Sequence, residues 1–453
     1  MNRSYRPDAE ATGQLLTELS EDLAANFPDQ AAGGGAGGWR VTVICGLPNS
    51  NPDGEPAPFG RSEHRGVTVS RVRHSRVAGD SKTSLRLRAI DFFTFLTAAA
   101  WRGLFHRRVD VVVSETDPFP IVVVGRILAM LHRAKFVLYA QDVNPDLGLT
   151  LNLIPDNVIV RSVQRAMYWA TRRADAIVAL STDMRETFLN LGVPEERIAV
   201  LPNWADTDLI RPFRERNEVR EAWNLGEPGA ADAKFVVMHS GNMGRTQRLG
   251  IVLRAADRLK HDPRIQFLLV GGGADATPLK KRAREMALQN LRFVPYQPKS
   301  KLGKSLSAAD LHLVCTDARV IPYLMPCKLY GVLAAGVPVI CVAPAESEIG
   351  RTVSGFDERK ARGEPVGDQA NSETRCGWTV DSGDDDSLAA AIAHAASLPR
   401  DVLHAMGDAG RRQAERRFSR AAVTPRFSAV LKAVLAGDSP ADAARATARS
   451  ADS

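Results

Sequence analysis

The chain has 453 residues, of which 44% are hydrophobic and 25% charged, so it is long enough for two globular domains and too apolar for a disordered chain. The net charge of +7 suits an anionic partner without choosing between sugar nucleotides, phospholipid head groups and nucleic acid. No run of about 18 apolar residues occurs, which argues against a membrane-spanning helix, and the polar N-terminus predicts no signal sequence.

The five cysteines show no C-x-x-C spacing, so the sequence predicts no zinc site. Cys315 and Cys341 lie in apolar, strand-like runs and are expected to be buried thiols. Unpaired buried thiols favour a reducing compartment, and we therefore expect a cytoplasmic protein, with peripheral attachment at the inner face of the cell membrane as an option.

Short β-branched runs alternate with helical patterns over the first half of the chain. The expected buried strands are residues 41–45, 109–113, 135–139 and 176–180. Leu15, Leu16, Leu19 and Leu23 recur at helical spacing ahead of the first of these strands. The alternation predicts an α/β domain with a mostly parallel sheet over residues 1–205.

The same rhythm then starts again. Further strands are predicted at 235–238, 267–270, 311–314 and 338–342, with helices near 251–259 and 324–335 between them. We therefore predict two Rossmann-like domains facing across a cleft, the second over residues 233–400.

Composition sets the remaining boundaries. Residues 206–232 combine prolines, glycines and charges and are predicted to link the domains. Helices over 401–436 are predicted to pack back across both domains, and the polar segments 355–375 and 437–453 are predicted to be disordered.

Three patterns resemble ligand motifs but lack their context. The glycine-rich residues 31–38 precede a strand, so a flexible turn is favoured over a phosphate loop. Residues 271–275 follow a strand without the spacing of a dinucleotide fingerprint. Asp206 and Asp208 have D-x-D spacing but lie in the predicted linker, so no metal ligand is assigned to them.

The strongest local signal for anion binding is the small-residue loop after the strand near residue 238. Gly241 and Gly244 would let backbone N–H groups approach an anion, the following helix would add positive potential, and Arg245 could grip a phosphate with its planar fork. A plain tight turn explains the same residues, and the sequence leaves both interpretations open.

Lys328 is expected in the first turn of a helix that Pro326 introduces and Gly336 closes. A cation there opposes the helix dipole, so a bound anion is a reason for its presence. The alternative is a solvated lysine without a ligand.

Two carboxylates follow predicted strands at the edge where α/β sheets bind their ligands. Asp142 comes after the strand at 135–139, and Asp117 occupies a similar place after the strand at 109–113. Either can bond a sugar hydroxyl or act as a base, and these two are the predicted catalytic residues. Capping of the next turn is the alternative role.

Taken together, these segments resemble the retaining family-four glycosyltransferases of the GT-B fold, most closely the branch that includes colanic-acid and related exopolysaccharide transferases. The resemblance extends from Tyr5 to about Leu435. The segments that carry it, in order, are 5–8, 11–19, 41–48, Gln141 and Asp142 with Pro145, 201–204, 240–244, 326–330 and 333–336.

The resemblance implies a UDP- or GDP-sugar donor bound mainly by the C-terminal domain, with no cofactor and no metal. Its donor contacts would be Gly241, Asn242, Gly244, Arg245, Lys328, Leu329 and Glu348. The N-terminal domain would bind a polyprenyl-linked or glycan acceptor, with Thr12 and Gly13 near the reacting phosphate. The anomeric configuration would be retained, and the product would belong to cell-surface polysaccharide biosynthesis.

The chain also departs from the family pattern. Tyr323 and Gly331 stand where many relatives carry two glutamates, so the ribose and sugar contacts of those glutamates cannot be carried over. Thr116 and Asp117 replace a histidine. Only residues 1–4 precede the first matching segment, so a central strand is expected to be absent, through either a misassigned start codon or a weakened N-terminal domain.

Residues 85–108 mix five arginines with five aromatic side chains, a composition typical of a helix lying on a membrane surface. The alternative places the aromatic residues in the domain core and the arginines in solvent.

Three other functions compete with the transferase. The departures favour a non-catalytic sugar-nucleotide-binding or scaffold protein as the second candidate, and an epimerase of the same fold is the third. Nucleic-acid binding is disfavoured because the basic residues are dispersed along the chain.

Overall fold

The computed structural model describes residues 1–8, 10–25, 38–48, 51, 54–76, 85–215, 217–227, 230, 233–355 and 374–451. The predicted glycine-rich turn at 31–38 and the predicted disordered insertion at 355–375 fall almost wholly outside these residues. The chain divides into two compact units. The first contains residues 1–203, 322–324 and 421–453, and the second contains 204–321 and 325–420.

The first unit is built on two small sheets. Its elements in chain order are α1 (Ala11–Ala25), β1 (Thr42–Cys45), β2 (Gly60–His64), β3 (Val67–Arg71), α2 (Leu85–Leu104), β4 (Val111–Ser114), α3 (Ile121–His132), β5 (Lys135–Ala140), α4 (Asp146–Thr150), α5 (Val158–Arg172), β6 (Ala176–Ala179), α6 (Thr182–Asn190) and β7 (Ile198–Val200). The strand orders are β1-β3-β2 and β4-β5-β6-β7. All neighbours pair in parallel except β2 and β3, which pair antiparallel. The four predicted strands are confirmed, whereas the polar β2, its partner β3 and the three-residue β7 were missed.

The first residues of the chain occupy the position predicted for the absent strand. The amino group of Met1 donates a hydrogen bond to the Val113 carbonyl in β4 (2.6 Å). The N–H of Asn2 donates to the Ile44 carbonyl in β1 (3.3 Å). Residues 1–4 form no strand of their own, but this short segment supplies backbone hydrogen bonds to both neighbouring strands.

The second unit contains one larger sheet. Its elements are α7 (Glu218–Ala222), β8 (Phe235–Asn242), α8 (Gly250–Arg258), β9 (Ile265–Gly272), α9 (Ala276–Glu285), β10 (Leu291–Val294), α10 (Leu302–Leu306), β11 (Leu311–Cys315), α11 (Lys328–Ala334), β12 (Val339–Val342), α12 (Glu348–Ser354), β13 (Gly377–Val380), α13 (Asp385–Ser397) and α14 (Arg400–Arg417). The strand order is β10-β9-β8-β11-β12-β13, and every pair is parallel. Its core joins the sheet to α8, α9 and α13. A parallel sheet places the exits of all its strands at one edge.

The predicted linker at 206–232 is part of the second unit. Arg220 in α7 is only 2% exposed and donates a hydrogen bond to the Asp310 carboxylate (3.1 Å). The same guanidinium donates to the carbonyls of Ala308 and Lys234 (both 2.9 Å). Asp310 also accepts from the Val236 N–H at the start of β8 (2.8 Å). A buried, fully bonded ion pair fixes this segment, a role that composition alone did not indicate.

The C-terminal helices return to the first unit. The predicted helical region 401–436 is divided at Phe418 into α14 and α15 (Arg420–Ala436). Phe427 of α15 packs on Tyr139 with ring centroids 5.1 Å apart. The tail predicted to be disordered instead forms α16 (Pro440–Ala451), which packs against β7. Small alanines, including Ala441 and Ala444, allow this close packing where composition suggested disorder.

The buried thiols are confirmed for the two cysteines in apolar strands. Cys315 and Cys341 are at most 1% exposed in β11 and β12. Burial raises the pKa of both thiols, so they remain protonated.

The Arg220–Asp310 pair generates a stability prediction. Replacing Arg220 with Met leaves the buried Asp310 carboxylate with only the partly exposed Arg400 as an ion-pair partner (3.3 Å) and leaves the carbonyls of Ala308 and Lys234 without their donor, so we expect the free energy of unfolding of the second unit to fall by about 3 kcal/mol. Urea denaturation measures this change. Arg264→Met is the matched control, because its ion pair with Asp262 is exposed at the arginine and should contribute about 0–1 kcal/mol. Equal losses in the two variants would contradict the prediction.

Candidate functional site

Glycines let the C-terminal ends of β8 and β9 lie against each other. Gly271 has φ +125°, and a Cβ atom added there would lie 2.2 Å from the Gly241 carbonyl oxygen. Gly241 itself has φ +129°, and the next turn is fastened by a bond from the Met243 N–H to the Gly272 carbonyl (2.6 Å). Side chains would block this approach, so the small residues have a geometric cause.

The loop after β8 continues into a 3₁₀ turn, residues 245–247, before α8 begins. The N–H of Gly244 donates to the Gln247 side-chain oxygen (2.8 Å). The predicted anion contact through this N–H stays a prediction, and it would require the amide to exchange its bond with Gln247 for one to the ligand. Asn242 and Arg245 are exposed at this turn, where they can reach a ligand.

Lys328 brings a cation to the exit of β8. Its ammonium lies 3.4 Å from His239 Nε2 and 3.5 Å from the Asn242 carbonyl oxygen. A Cβ atom added to Gly241 would lie 3.6 Å from the Cε atom of Lys328. Burial lowers the pKa of Lys328 to about 8. A partly desolvated ammonium at the first residue of a helix does not match the solvated alternative, and it favours an anion as ligand.

His239 is a site residue that sequence reasoning missed. Its ring is fully buried, and Nδ1 lies 3.2 Å from the Leu313 carbonyl oxygen. That contact requires the proton on Nδ1, which leaves Nε2 to accept from Lys328. Burial and the neighbouring ammonium lower the pKa of His239 well below its ordinary value, so the ring is neutral. The only sequence signal was a histidine inside an otherwise apolar strand.

The remaining predicted donor contacts are placed differently. The Leu329 side chain is fully buried and packs in the core of the second unit, so the predicted ligand contact stays a prediction that only its backbone could fulfil. Glu348 is the first residue of α12 and lies 3.4 Å from Arg351 of the same helix. The structure thus brings Gly241, Asn242 and Lys328 together, with Arg245 on the adjoining turn.

In the first unit, two carboxylates lie beyond β4 and β5 as predicted. The Asp142 N–H donates to the Thr116 hydroxyl (3.2 Å), and burial raises the pKa of Asp142 to about 6, with the charge of Asp117 as a further cause. Asp117 pairs with Arg3 (3.2 Å) and accepts from the Ser4 hydroxyl (2.9 Å). Asp117 therefore fastens the N-terminal segment, while Asp142 has the properties of a base that titrates near neutral pH.

Glu115 adds a third carboxyl group that the sequence did not single out. It is 1% exposed, and neither carboxyl oxygen has a hydrogen-bond partner in the structure. Burial raises the pKa of Glu115 to about 8, so it is mostly protonated at pH 7. A neutral Glu115 leaves Asp117 and Asp142 as the charged groups at this edge of the sheet.

The predicted acceptor-side residues lie near these carboxylates. Thr12 and Gly13 are in the first turn of α1, and a Cβ atom added to Gly13 would lie 3.3 Å from the Cβ atom of Ser4. Since Ser4 bonds Asp117, α1 begins beside the β4 exit. Glycine at position 13 is required by this close packing.

Two sequence features receive structural explanations. The Asp206 carboxylate accepts from the N–H groups of Asp208 (3.0 Å) and Leu209 (2.9 Å), so a turn accounts for the D-x-D spacing. Tyr323, which stands where relatives have a glutamate, accepts at its carbonyl from the Val143 N–H (2.8 Å). It therefore belongs to the first unit and lies beside the segment that carries Asp142.

Helix α2 divides its aromatic residues between core and surface. Phe95 is fully buried, whereas Phe93, Trp101 and Phe105 are 67%, 68% and 62% exposed at the helix and just beyond it. The core interpretation holds for Phe95 and fails for the other three side chains. Within the part of the chain that the structure describes, neither α2 nor any other helix has the length and apolarity to cross a membrane.

Helix α2, which carries the exposed Phe93 and Trp101, packs against α3, which exposes apolar side chains of its own. Gly103 of α2 packs closely on Leu128, and His132 bonds the Gly103 carbonyl (2.9 Å), so the two helices are in contact. The neighbouring exposed side chains on α3 are Ile127, Met130 and Leu131. Arg107 and Arg108, which follow α2, and Arg133, which follows α3, are also exposed.

Comparison with known protein families gives two matches along the chain. Residues 24–204 match the model of the glycosyl transferase 4-like domain. Residues 224–349 match the model of glycosyl transferases group 1. The two matches follow each other in the order in which the two units occur.

Individual relatives agree with these matches. The chain is 30% identical to a putative colanic acid biosynthesis glycosyl transferase, WcaI of Escherichia coli, over 51% of this chain and 56% of that protein. The match thus spans little more than half of that relative's length. Sucrose-phosphate synthase from Thermosynechococcus elongatus has the same fold, with a TM-score of 0.67, 17% identity and coverage of 97% and 96% of the two chains. HepE from Anabaena, solved in complex with UDP, has a TM-score of 0.64, 14% identity and coverage of 95% and 98%.

The burial of Lys328 generates a pH prediction. Because the pKa of Lys328 is lowered to about 8 in the free protein, we expect the ratio of the pyrophosphate affinities of wild type and Lys328→Met, in which the ionisation of pyrophosphate itself cancels, to be constant near pH 7 and to fall as the pH rises through 8. Binding near pH 8 should take up protons, because a bound anion raises this pKa again. Isothermal titration calorimetry in buffers of different ionisation enthalpy measures both effects.

Lys328→Met tests whether this residue causes the pH dependence. We expect the variant to bind pyrophosphate at least about tenfold more weakly, as for loss of a charge-assisted hydrogen bond, and to lose the decline above pH 8. Lys260→Met removes an exposed lysine paired with Asp257 and serves as the control. An identical pH profile in wild type and Lys328→Met would overturn the assignment.

Proposed function

Because the chain belongs to the family-four glycosyltransferases of the GT-B type, we propose that it moves a sugar from a UDP- or GDP-sugar to a lipid-linked or glycan acceptor in cell-surface polysaccharide biosynthesis. The observation that carries the proposal is the desolvated ammonium of Lys328 beside Gly241 and the Asn242 carbonyl. It lies at the sheet edge where parallel α/β domains bind nucleotides.

The proposed chemistry breaks the bond between the anomeric carbon of the donor and its phosphate oxygen. Negative charge then develops on the departing nucleoside diphosphate. Lys328 and Arg245 are positioned to stabilise that charge, with Asn242 as a further polar contact. Because these groups are fixed before the reaction, we propose that the leaving group needs no metal or other cofactor. We further propose retention of anomeric configuration, as the resemblance to the retaining family implies, with the acceptor adding on the face from which the phosphate leaves.

HepE, solved with UDP and with UDP-glucose, has the same fold and supports a nucleotide-sugar donor for this chain. Glu348 is retained in the proposal as a donor contact that would have to exchange its bond with Arg351 for one to the sugar. The choice between UDP and GDP is left to the binding experiment.

On the acceptor side, we assign Asp142 as the group that takes the proton of the attacking hydroxyl. The new glycosidic bond forms between that hydroxyl oxygen and the anomeric carbon. With its pKa raised to about 6, Asp142 is mostly charged at pH 7 and is still basic enough to accept a proton. Thr12 and Gly13 at the start of α1 would contact the reacting phosphate.

The test combines binding with product analysis. We expect UDP or GDP to stabilise the wild-type protein in a thermal-shift assay, and the matching sugar nucleotide to yield a glycosylated polyprenyl phosphate with the donor's anomeric configuration by NMR. Asp142→Asn should retain nucleotide affinity and lose about 10²–10⁴-fold in transfer rate. The wild-type rate should fall on the acid side with an apparent pKa of about 6, because protonated Asp142 cannot accept a proton.

The alternatives give different results in the same experiment. Nucleotide binding without any turnover in wild type would support the scaffold protein. A new sugar nucleotide, formed without acceptor, would support an epimerase. Absence of binding to every nucleotide would exclude the transferase and the epimerase together.

We also propose that α2 and α3 attach the protein to the inner face of the cell membrane, which would make it a cytoplasmic, peripheral protein. Exposed Trp101 and Phe105, in edge-to-face contact with centroids 4.8 Å apart, would enter the interface region of the bilayer. Arg107 and Arg108 would contact anionic head groups. A polyprenyl-linked acceptor is itself held in the membrane, which accounts for the use of such a surface.

The membrane proposal is tested by vesicle sedimentation. We expect wild type to bind vesicles of phosphatidylglycerol and phosphatidylcholine, and the double variant Trp101→Ser/Phe105→Ser to bind them at least about tenfold more weakly, since both side chains are mostly exposed and contribute little to folding. Tyr296→Ser, at an exposed aromatic residue of the second unit, is the control. Equal vesicle binding by all three proteins would refute the proposed surface.

A further inference from the structure

The second unit contains a cavity with an unusual concentration of arginines around the start of α8. Its volume is about 490 Å³, within the range of small-molecule sites. Arg245, Arg248, Arg254 and Arg282 line it, and we call it the arginine cavity. Buried apolar side chains, among them Ile251 and Leu279, also line it.

Two of these guanidinium groups converge on a glycine. A Cβ atom added to Gly250, the first residue of α8, would lie 3.7 Å from Arg254 Nη1 and 3.8 Å from Arg282 Nη1. Like charges this close repel each other in the empty cavity. Glycine leaves the space between them open, so a small anion can contact both groups and the start of the helix.

The nearby carboxylates do not neutralise this cluster. Asp385 bonds Arg254 (3.0 Å) but also Arg258 (2.8 Å). Asp317 pairs with Arg319 and lies 3.7 Å from Arg248.

Asp275 is the one acidic side chain that lines the arginine cavity directly. Among the described residues, neither Arg245 nor Arg282 has a carboxylate within ion-pair distance. The cavity therefore carries net positive charge.

We propose that the arginine cavity binds the phosphate group of a small phosphorylated molecule between Arg254 and Arg282. Planar guanidinium groups bond phosphate oxygens in pairs, and two of them that face one open space can hold a single phosphate group. The N-terminal end of α8 adds favourable potential, and the apolar lining can cover an uncharged part of the ligand. The site shares Arg245 with the proposed donor contacts but is centred on Arg254 and Arg282, and it does not rest on the proposed transfer reaction.

Pyrophosphate is the probe for this site, titrated calorimetrically into the full-length chain carrying Lys328→Met. In that background the contact at the exit of β8 is weakened, so the arginine cavity dominates binding. We expect one pyrophosphate per chain. Adding Arg282→Gln should lower its affinity at least about tenfold, as for loss of a charge-assisted contact.

Arg258→Gln in the same background is the matched control, because Arg258 shares Asp385 with Arg254 but does not line the cavity. Its affinity should stay within about twofold of the parent. The proposal is overturned if Lys328→Met protein does not bind pyrophosphate, or if Arg282→Gln and Arg258→Gln change affinity equally. Neither failure bears on the proposed sugar transfer, which is assayed separately with the wild-type protein.

The same titration with saturating UDP identifies the source of the phosphate. Displacement of pyrophosphate by UDP assigns the arginine cavity to the phosphates of the nucleotide. An unchanged pyrophosphate affinity assigns it to a second, independent phosphorylated molecule. Both outcomes support the phosphate site and differ in its occupant.

Discussion

The site in the second unit depends on one electrostatic arrangement, the desolvated ammonium of Lys328 above a neutral histidine. His239 offers Nε2 as an acceptor because its other nitrogen is committed to the Leu313 carbonyl. Among the described residues, no carboxylate lies within ion-pair distance of Lys328, so its charge is directed toward whatever binds at the exit of β8. An anion there would restore the interaction that water supplied before folding, which supports the proposal of a diphosphate ligand.

The first unit separates its acidic groups by environment instead. Glu115 is buried without partners and mostly neutral, whereas Asp117 is compensated by Arg3. Asp142 lies between these extremes, with a pKa raised to about 6. Carboxyl groups with different protonation states at one strand edge can divide the tasks of structure and proton transfer, as enzymes commonly arrange.

The two units also differ in the kind of side chain that each gathers at its surface. The first unit exposes Trp101 and Phe105 next to the apolar face of α3, an arrangement suited to a lipid surface. The second unit gathers Arg254 and Arg282 around Gly250, an arrangement suited to a phosphate group. The two arrangements are independent of each other, because each is built within a single unit.

The sequence by itself determined the α/β class, the main parallel strands and the loop at Gly241, because β-branched runs and glycine positions are local signals. It also indicated Asp142, because residues that follow parallel strands gather at one edge of their sheet, and Lys328, because a cation in the first turn of a helix opposes the helix dipole. Only the tertiary structure decided that Met1 bonds β4, that Arg220 anchors the supposed linker, and that His239 lies beneath Lys328. Those contacts join residues far apart in the chain, and burial, which sets their pKa values and energies, is a property of the packed fold.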